Sequence, residues 1–539
     1  MDAVAEVNPE AIRRDSSRPE RGYIPRALAL RTASSRPFGA LPVRDGRTYF
    51  CVWAPSAGAV AVRGRGGDRP LERAGEDVWE AELDVAAGED YRFVLDGEHA
   101  WPDPCSRFQP EGVRGPSRVV DPAAFAWSDQ AWGGAALEEL VLYELHVGAF
   151  SDEGTFEGAI PYLEELRELG VTAVELMPVA TFPGSRGWGY DGLYAYAPHP
   201  AYGGPEGLAR LVDAAHAAGL GVILDVVYNH VGPGSETLAA FGPYFTDRHE
   251  TFWGDAIDNA QPAVREWAIQ NACMWIRDYH VDGLRLDAVH AIFDESPRHV
   301  LAELAERVKA ENPRALVISE IEPDDYRPIE EWGHDAQWTD RFHHELHVLL
   351  TGERDGYYER FGSLAGLARE YRREPSERLV VCAQNHDQVG NRALGDRLPR
   401  DRLRVAAACT LFAPQTPLLF MGEEYGEERP FQFFTDHIDP AIAEATNEGR
   451  RREFARFSAF ADADLPDPQA TETFERSKLD RSRADESLRA FYRELLALRR
   501  RLPGELELEI DEHARTLRAR RGQAELVADF ANTTVGLRR

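Results

Sequence analysis

The sequence of 539 residues is poor in lysine and lacks long apolar runs, and each shortage excludes a class of protein. Only two of its 61 basic residues are lysines, and 92 acidic residues give a net charge of −31. This charge argues against a nucleic-acid-binding surface. No run reaches the roughly 18 apolar residues of a transmembrane helix, and the first residues lack the apolar core of a signal peptide. We therefore expect neither nucleic acid nor a membrane among the partners of this protein.

Cysteine is also scarce, and the spacing of the cysteines is not that of a metal site. The five cysteines are an odd number, are scattered along the chain and form no CxxC pair, which argues against a disulfide framework or a zinc site. We expect buried free thiols in a reducing compartment and therefore a cytoplasmic protein. The five residues are Cys51, Cys105, Cys273, Cys382 and Cys409.

Changes of sequence pattern divide the chain into four segments. Residues 1–37 are polar and rich in Arg, Pro and Ser, which predicts a flexible arm. Residues 38–128 contain short alternating runs separated by turn residues, which is typical of a β-sandwich. Residues 488–539 contain an amphipathic helix followed by short alternating runs. They predict a small C-terminal β domain, and its shortness leaves open whether it is complete.

The central segment, residues 129–487, alternates apolar strand-like runs with helical periodicity. Helices are predicted over 156–169, 205–218 and 262–279, among others. The strand-like runs are 141–145, 171–177, 221–227, 283–287, 315–319, 335–338, 379–383 and 416–421. Eight such runs predict an α/β fold, a (β/α)8 TIM barrel between the N-terminal β-sandwich and the C-terminal β domain. A doubly wound open sheet is the alternative, but no GxGxxG follows the first strand.

Four of the predicted strands end in an acidic residue. The active site of such a barrel lies at the carboxyl ends of its strands, so these side chains should meet there. Buried carboxylates are unfavourable unless they are paired or used, which favours a functional role. The acids are Asp225, Asp287, Glu320 and Asp387, and the nearby histidines are His230, His290 and His386.

Two of the acids have surroundings that suggest different chemical roles. Arg285 and Asp287 stand two apart on one strand, so their side chains share a face, and the arginine keeps the carboxylate ionised, as a nucleophile requires. Glu320 follows an apolar strand, and a poorly solvated glutamate has a raised pKa and donates a proton near neutral pH. Two carboxyls in these roles are typical of glycoside cleavage, with retention of configuration at about 5 Å separation.

Four strings around these acids resemble the conserved regions of the α-amylase superfamily of glycoside hydrolases. The strings are 225–230 (DVVYNH), 283–290 (GLRLDAVH), 318–320 (ISE) and 384–387 (QNHD). The resemblance implies Asp287 as nucleophile, Glu320 as proton donor and Asp387 as stabiliser of the transition state. It also implies that the sandwich is immunoglobulin-like and carbohydrate-associated. The implied substrate-binding residues around the cleaved bond are Tyr190, Asp225, His230, Arg285, His290, His386, Gln388 and Asn391.

Further strings resemble the trehalohydrolase family within that superfamily. They are 143–150 (YELHVGAF), 338–344 (WTDRFHH), 430–437 (PFQFFTDH) and 473–479 (TFERSKL). The resemblance implies hydrolysis of the α-1,4 bond next to the terminal trehalose of a malto-oligosyltrehalose, which releases trehalose and maltodextrin. Asn229 matches a calcium ligand of many amylases, but this branch implies no metal and no cofactor. Asp340, His343 and His344 are the candidates for contacts to trehalose, with the alternative that the two histidines only pack and shape the loop, and Phe342 is a further predicted substrate-binding residue.

Two departures and three alternatives accompany this interpretation. Arg341 stands where the family tends to have an aspartate, and Glu322 lies close enough to Glu320 to be confused with it. A glycogen branching enzyme or another maltodextrin hydrolase shares several of the strings. An inactive glucan-binding protein is the alternative outside the enzymes, and the complete acid set argues against it. The sequence does not indicate the oligomeric state.

Overall fold

The structure, a computed structural model, describes residues 36–43, 46–75, 77–251, 253–322, 324–454 and 465–538. The predicted arm therefore lies outside the described residues up to residue 35. The described chain forms an N-terminal β-sandwich, a closed parallel barrel and a C-terminal antiparallel sheet, which confirms the predicted fold class. Among the described residues, no helix combines the length and apolar character needed to cross a membrane.

The N-terminal strands form two facing antiparallel sheets. One sheet has the order β1-β2-β6-β5, and the other has the order β4-β3-β7-β8 with β9 beside β7. The strands are β1 (Gly39–Pro42), β2 (Thr48–Trp53), β3 (Val60–Gly64), β4 (Gly67–Pro70), β5 (Glu72–Arg73), β6 (Val78–Leu83), β7 (Asp90–Leu95), β8 (His99–Trp101) and β9 (Ser117–Arg118). Phe50 of β2 packs edge-on against Tyr91 and Phe93 of β7, with ring centroids 5.0 and 6.3 Å apart. These rings form the core of the sandwich.

Eight parallel strands close the barrel in sequence order. They are β10 (Leu142–Leu145), β11 (Ala173–Leu176), β14 (Gly221–Val226), β17 (Gly283–Leu286), β18 (Leu316–Ser319), β19 (Ala336–Trp338), β20 (Leu379–Cys382) and β21 (Thr416–Phe420). Each lies within a predicted run, and their residues are buried on both faces, as parallel strands covered by helices require. Two hairpins leave the carboxyl ends of β11 and β14: β12 (Ala180–Thr181) with β13 (Tyr194–Pro198), and β15 (Phe245–Thr251) with β16 (Gly254–Ile257).

Helices surround the barrel and line its carboxyl end. They are α1 (Val147–Phe150), α2 (Phe156–Ala159), α3 (Leu163–Leu169), α4 (Gly204–Ala218), α5 (Glu236–Phe241), α6 (Pro262–Asp278), α7 (Val300–Glu311), α8 (Arg327–Glu330), α9 (Asp340–Thr351), α10 (Leu364–Tyr371), α11 (His386–Gly390), α12 (Arg400–Phe412), α13 (Pro440–Phe454), α14 (Thr471–Ser477) and α15 (Glu486–Arg499). The single helix predicted over 156–169 is interrupted by a 3-10 turn at Ile160–Tyr162, since Pro161 has no N–H to continue the α-helical ladder. Gly170 and Gly219 end α3 and α4 with φ of 116° and 82°, a conformation that glycine adopts without strain.

The C-terminal sheet is a meander of four antiparallel strands. The strands are β22 (Glu507–Asp511), β23 (Thr516–Arg521), β24 (Ala524–Asp529) and β25 (Thr534–Arg538). Strands β24 and β25 pack on α12, and α15 packs on α12 and α3, so this region braces the outer surface of the barrel. The domain boundaries drawn at residues 38, 129 and 488 stay predictions.

The sandwich lies against loops at the carboxyl end of the barrel. Trp53 of β2 contacts Tyr244 edge-on at 5.2 Å between ring centroids, and Phe93 contacts Phe241 of α5 at 6.0 Å. Both barrel residues belong to the excursion that follows β14. The sandwich therefore borders the face of the barrel on which active sites form.

Candidate active site

Arg285 is the centre of the acid cluster. Its side chain is fully buried, and Nη1 donates to both carboxylate oxygens of Asp225 at 2.9 and 2.8 Å and to Asp287 Oδ1 at 2.8 Å. Its Nη2 donates to Glu320 Oε2 at 2.8 Å. The guanidinium also lies over the ring of Trp338, 4.4 Å from the centroid. One cation therefore holds three of the four predicted acids at the barrel mouth.

Asp287 and Glu320 are further fixed by the backbone and an amide next to them. Asn229 Nδ2 donates to Asp287 Oδ2 at 2.7 Å, so one carboxylate oxygen faces Asn229 and the other faces Arg285. Ala288 has φ of 40°, a strained left-handed conformation for a residue with a Cβ. This conformation points its N–H at Glu320 Oε2, 2.8 Å away. Strain of this kind is retained at functional sites where surrounding bonds hold it.

A second set of hydrogen bonds links Asp225 to the seventh strand. The Tyr190 hydroxyl donates to Asp225 Oδ2 at 2.6 Å and contacts His386 Nε2 at 2.7 Å. The rings of Tyr190 and His386 stack with centroids 5.2 Å apart. His386 Nε2 also lies 3.2 Å from Asp387 Oδ2. The fourth predicted acid is thereby joined to the other three through the histidine and the tyrosine.

Glu144 is a functional candidate that sequence reasoning missed. It lies on β10, is buried, and accepts hydrogen bonds from the backbone N–H of His386 at 2.8 Å and from His386 Nδ1 at 2.6 Å. Although burial opposes it, the charges of Asp387 and Glu144 raise the pKa of His386 well above its usual value. Asp387 and Glu144 together therefore favour the protonated form of His386, and the two hydrogen bonds to Glu144 orient the ring toward Asp387. Only its position in the string YELHVGAF gave a signal, and that string was used for family resemblance alone.

The acids differ in their affinity for protons. Burial, reinforced by the charges of Asp287 and Asp387, raises the pKa of Glu320 to about 8 despite the opposing charge of Arg285. Burial likewise raises the pKa of Asp225 to about 7. For Asp387 burial is outweighed by the charge and hydrogen bond of His386, which lower the pKa to about 2. The site thus combines Glu320, whose raised pKa favours the protonated form at neutral pH, with Asp387, whose lowered pKa keeps it ionised, and glycoside cleavage needs carboxyl groups in both states.

A cavity of about 290 Å³ opens directly beside Glu320 and Asp387. The side chains of these two acids are 24% and 32% exposed, so each presents an edge to the cavity. Four of the predicted substrate-binding residues line this cavity, together with several residues that were not predicted. The predicted four are Asp340, His344, Gln388 and Asn391, and the others include Glu353, Tyr357, Tyr358 and Arg392.

Polar groups of this cavity are arranged as hydrogen-bond partners. Burial raises the pKa of Asp340 to about 6, and Gln388 forms a hydrogen bond to it. Burial lowers the pKa of His344 to about 4, so its ring is neutral, and its Nδ1 is a buried atom with no partner among the described residues. Asn391 Nδ2 donates to Asp387 Oδ1 at 2.9 Å. These groups are suited to hydroxyls of a sugar.

Three predicted substrate-binding residues do not reach this arrangement. Phe342 is fully buried and its ring packs on Tyr371, 5.6 Å between centroids, so it belongs to the core between α9 and α10. His343 is buried, with Nδ1 2.7 Å from the carbonyl of Ala383 and Nε2 3.1 Å from the Tyr358 hydroxyl. His290 lies exposed in the 3-10 turn after β17. Phe342 and His343 therefore pack into the core in this structure, which favours the packing alternative for His343, and the substrate-binding roles of these residues stay predictions.

His230 and Asn229, which follow β14, lie beside the mouth of the barrel. His230 Nε2 is 2.9 Å from the carbonyl of Tyr190, and its ring stacks on Trp253 with centroids 4.0 Å apart. Asn229, the residue that matches a calcium ligand, uses its amide on Asp287 and its oxygen on His230. Within the described part of the chain, no group of three or more His, Cys, Asp or Glu side chains is placed to hold a metal ion. The expectation that no metal is needed stays a prediction.

Arg341 and Glu322 are the two departures from the family pattern, and both lie near the loop after β18. Arg341 forms an ion pair with Asp324 in the loop after β18, and Arg373 contacts the same carboxylate at 2.6 Å. Glu322 is exposed on that loop, whereas Glu320 contacts Arg285 at the strand end. The geometry therefore favours Glu320 over Glu322 as the acid of the site.

Comparisons with known proteins agree with this geometry. Residues 119–241 match the profile of the alpha amylase catalytic domain, and residues 37–123 match carbohydrate-binding module 48, the isoamylase N-terminal domain. The chain is 38% identical to a protein from Salmonella typhimurium that is described as an alpha amylase and has a crystal structure at 1.4 Å resolution. The two structures superpose with a TM-score of 0.83, and the match covers 91% of this chain and 92% of that one. The chain belongs to the α-amylase superfamily of glycoside hydrolases.

Relatives of known name define the branch of that superfamily. The chain is 43% identical to malto-oligosyltrehalose trehalohydrolase of Rhizobium sp. (strain M-11), covering 93% of this chain and 94% of the relative. It is 45% identical to the protein of the same name from Deinococcus radiodurans, covering 86% and 83%. The chain is a member of the malto-oligosyltrehalose trehalohydrolase family.

Proposed function

We propose that this enzyme hydrolyses the α-1,4 bond next to the terminal trehalose of malto-oligosyltrehalose, with retention of configuration. Family membership supports the reaction. The single observation that supports the mechanism is the shared contact of Asp287 and Glu320 with one guanidinium, each at 2.8 Å. This contact sets a nucleophile and a proton donor side by side, as retaining glycosidases have them.

Asp287 acts as the nucleophile in the first step. Arg285 and Asn229 donate hydrogen bonds to its two oxygens, which orients the carboxylate toward the anomeric carbon. The anomeric carbon forms a bond to Asp287 while its bond to the glycosidic oxygen breaks, which leaves a covalent glycosyl-enzyme. Asp225 and Tyr190, joined at 2.6 Å, border the same position and are proposed to hold the hydroxyls of that sugar.

Glu320 supplies the proton in that step and recovers one in the next. Its pKa of about 8 keeps it protonated at neutral pH, so it protonates the leaving oxygen of trehalose. As a carboxylate it then removes a proton from water, whose oxygen attacks the anomeric carbon and releases Asp287. Asp387, held ionised beside His386, is proposed to bind sugar hydroxyls and stabilise the positive charge of the distorted ring.

The cavity beside Glu320 is proposed to receive the trehalose unit. Trehalose is bent, so its second glucose leaves the path of a linear maltodextrin, and selectivity requires hydrogen-bond partners on the bent path. Asp340 and His344, whose side chains line the cavity, are proposed to provide them. A linear chain does not form these hydrogen bonds, which lowers its relative affinity.

Product analysis tests the proposed function. The enzyme is incubated in parallel with maltopentaosyl trehalose and maltohexaose, and the products are separated by chromatography. We expect free trehalose from the first substrate and slower cleavage of the second. A branched polymer would favour a glycogen branching enzyme, and equal cleavage of both substrates would favour a general maltodextrin hydrolase. Absence of any product would favour an inactive glucan-binding protein.

We also propose a cytoplasmic location and the absence of a nucleic-acid partner. The five cysteines are buried free thiols, the state expected in a reducing compartment, which supports a cytoplasmic location. The net charge of −31 supports the absence of a nucleic-acid partner.

A further inference from the structure

A second cavity, of about 360 Å³, lies where the sandwich meets the barrel. Arg92, Trp101 and Arg114 line it from the sandwich, and Pro233, Thr237 and Ile438 line it from the barrel. Its size is within the range of small-molecule sites in proteins. None of the residues of the acid cluster lines it, so it is separate from the site described above.

The cavity lies on the catalytic face of the barrel, on the side away from the proposed trehalose cavity. Its barrel walls are the excursions after β11 and β14 and the segment after β21. The cavity beside Glu320 is walled by segments after β18, β19 and β20. In the closed ring, β11 and β14 lie opposite β19 and β20. The two cavities thus flank the acid cluster from opposite sides.

The wall of this cavity is tied to the active-site loops. Gly232 N–H donates to the carbonyl of Gly192 at 3.1 Å, which joins the excursion that carries Tyr190 to the segment after β14. The Tyr194 hydroxyl donates to the carbonyl of Val113 at 3.0 Å and lies 3.1 Å from Thr237 Oγ1, which joins the sandwich to the barrel. Hydrogen bonds therefore connect the walls of the cavity to each other and to the loop that carries Tyr190.

The lining has the chemistry of a neutral sugar site. Trp101 is half-buried and Ile438 is 46% exposed, so the cavity offers an aromatic and an aliphatic surface for the C–H faces of a pyranose. Arginines and carboxylates occur together at its edge, where Arg92 already donates to the carbonyl of Arg114 at 2.8 Å and Glu236 and Asp439 lie close by. Mixed charges of this kind suit hydroxyl groups better than an anion.

We propose that this cavity binds glucose units of the maltodextrin chain at a distance from the cleaved bond, on the side opposite trehalose. This assignment of direction rests on the proposed function. The site would increase affinity for long substrates, while a substrate with a short glucan would end before it reaches Trp101.

A series of substrate lengths tests the proposal. We compare kcat/KM for maltosyl trehalose and maltopentaosyl trehalose in the wild type, in Trp101→Ala and in Ile438→Ala. Loss of about 1 kcal/mol of apolar contact predicts a roughly fivefold fall for the long substrate, through KM, and an unchanged value for the short one. Since Trp101 packs on the sandwich core, Ile438→Ala at the exposed rim is the variant that leaves folding intact.

Ile510→Ala is the matched control, because Ile510 is 39% exposed on the C-terminal sheet and lines neither cavity. This variant should leave kcat/KM unchanged for both substrates. Equal effects on both lengths, or no effect of Trp101→Ala and Ile438→Ala on either, would overturn the proposal.

Calorimetry separates this proposal from the proposed function. Maltohexaose is titrated into the catalytically inactive Asp287→Asn protein, with and without the additional substitution Ile438→Ala. A roughly fivefold weaker affinity in the protein that carries Ile438→Ala supports glucan binding in this cavity, even if the wild type releases no trehalose. An unchanged affinity rejects glucan binding in this cavity, even if the wild type releases trehalose.

Discussion

Glu144 on the first barrel strand accepts two hydrogen bonds from His386, one from its backbone N–H at 2.8 Å and one from Nδ1 at 2.6 Å. The other ring nitrogen of His386 lies 2.7 Å from the Tyr190 hydroxyl and 3.2 Å from Asp387. A buried carboxylate that touches no substrate thereby sets the charge and orientation of a histidine at the cleaved bond. Glu144 is a positioning residue in this account.

Glu144→Gln should lower kcat about 10–100-fold with a smaller change in KM, since a charge-assisted hydrogen bond contributes about 1.5–3 kcal/mol. The loss of negative charge lowers the pKa of His386, and a less cationic His386 no longer lowers the pKa of Asp387. The acid limb of the kcat/KM profile should therefore move to higher pH.

Glu345→Gln is the control for that variant. Glu345 is also buried and accepts two backbone hydrogen bonds, from Gly362 at 2.7 Å and Ser363 at 2.9 Å, but it lies outside the acid cluster. It should lower the melting temperature without moving the pH profile. An unmoved acid limb in Glu144→Gln would show that the residue only stabilises the fold.

Asp287→Asn should abolish hydrolysis while the fold persists, because an amide does not form the glycosyl intermediate. Activity is measured with the trehalose-ended substrate, and folding is checked by thermal denaturation. Retention of more than roughly a few per cent of wild-type kcat would place the nucleophile elsewhere.

Glu320→Gln should remove proton donation, whereas Glu322→Gln on the exposed loop should leave kcat unchanged. The raised pKa of Glu320 also fixes the direction of the pH dependence: the acid form is present below about pH 8 and is lost above it. The kcat/KM of the wild type should therefore fall as pH rises through about 8. Loss of activity in Glu322→Gln alone would mean that the proton donor is misassigned.

Asp340→Ala or His344→Ala should lower kcat/KM for maltopentaosyl trehalose about 10–100-fold, the effect of one or two buried polar contacts of about 1–3 kcal/mol each. The same variants should change cleavage of maltohexaose much less. His343→Ala is the contrasting variant: it removes two buried hydrogen bonds and should lower the melting temperature without changing selectivity. Equal losses on both substrates in Asp340→Ala would place selectivity in another loop.

The barrel and its acids were predictable because buried parallel strands are near-continuous apolar runs and their carboxyl ends converge. The residues of the string WTDRFHH differ in placement because of the helical period. This string begins helix α9, where residues four apart share a face, so Asp340 and His344 point to the cavity while Phe342 and His343 turn to the core. Applying the helical period to the string would have separated them.

Two other features were beyond sequence reasoning. Glu144 follows apolar residues on a buried strand, and its partner His386 is 242 residues away, so only the closed barrel brings them together. The cavity at Trp101 and Ile438 forms between separate parts of the chain and has no motif of its own.

Proton NMR of the earliest products from maltopentaosyl trehalose tests the central claim most directly, because it reports the bond cleaved and the stereochemistry in one spectrum. The account predicts free trehalose together with a maltodextrin whose new reducing end first appears as the α anomer and later equilibrates. A first-formed β anomer would contradict the roles of Asp287 and Glu320, and maltodextrin products without trehalose would contradict the proposed substrate.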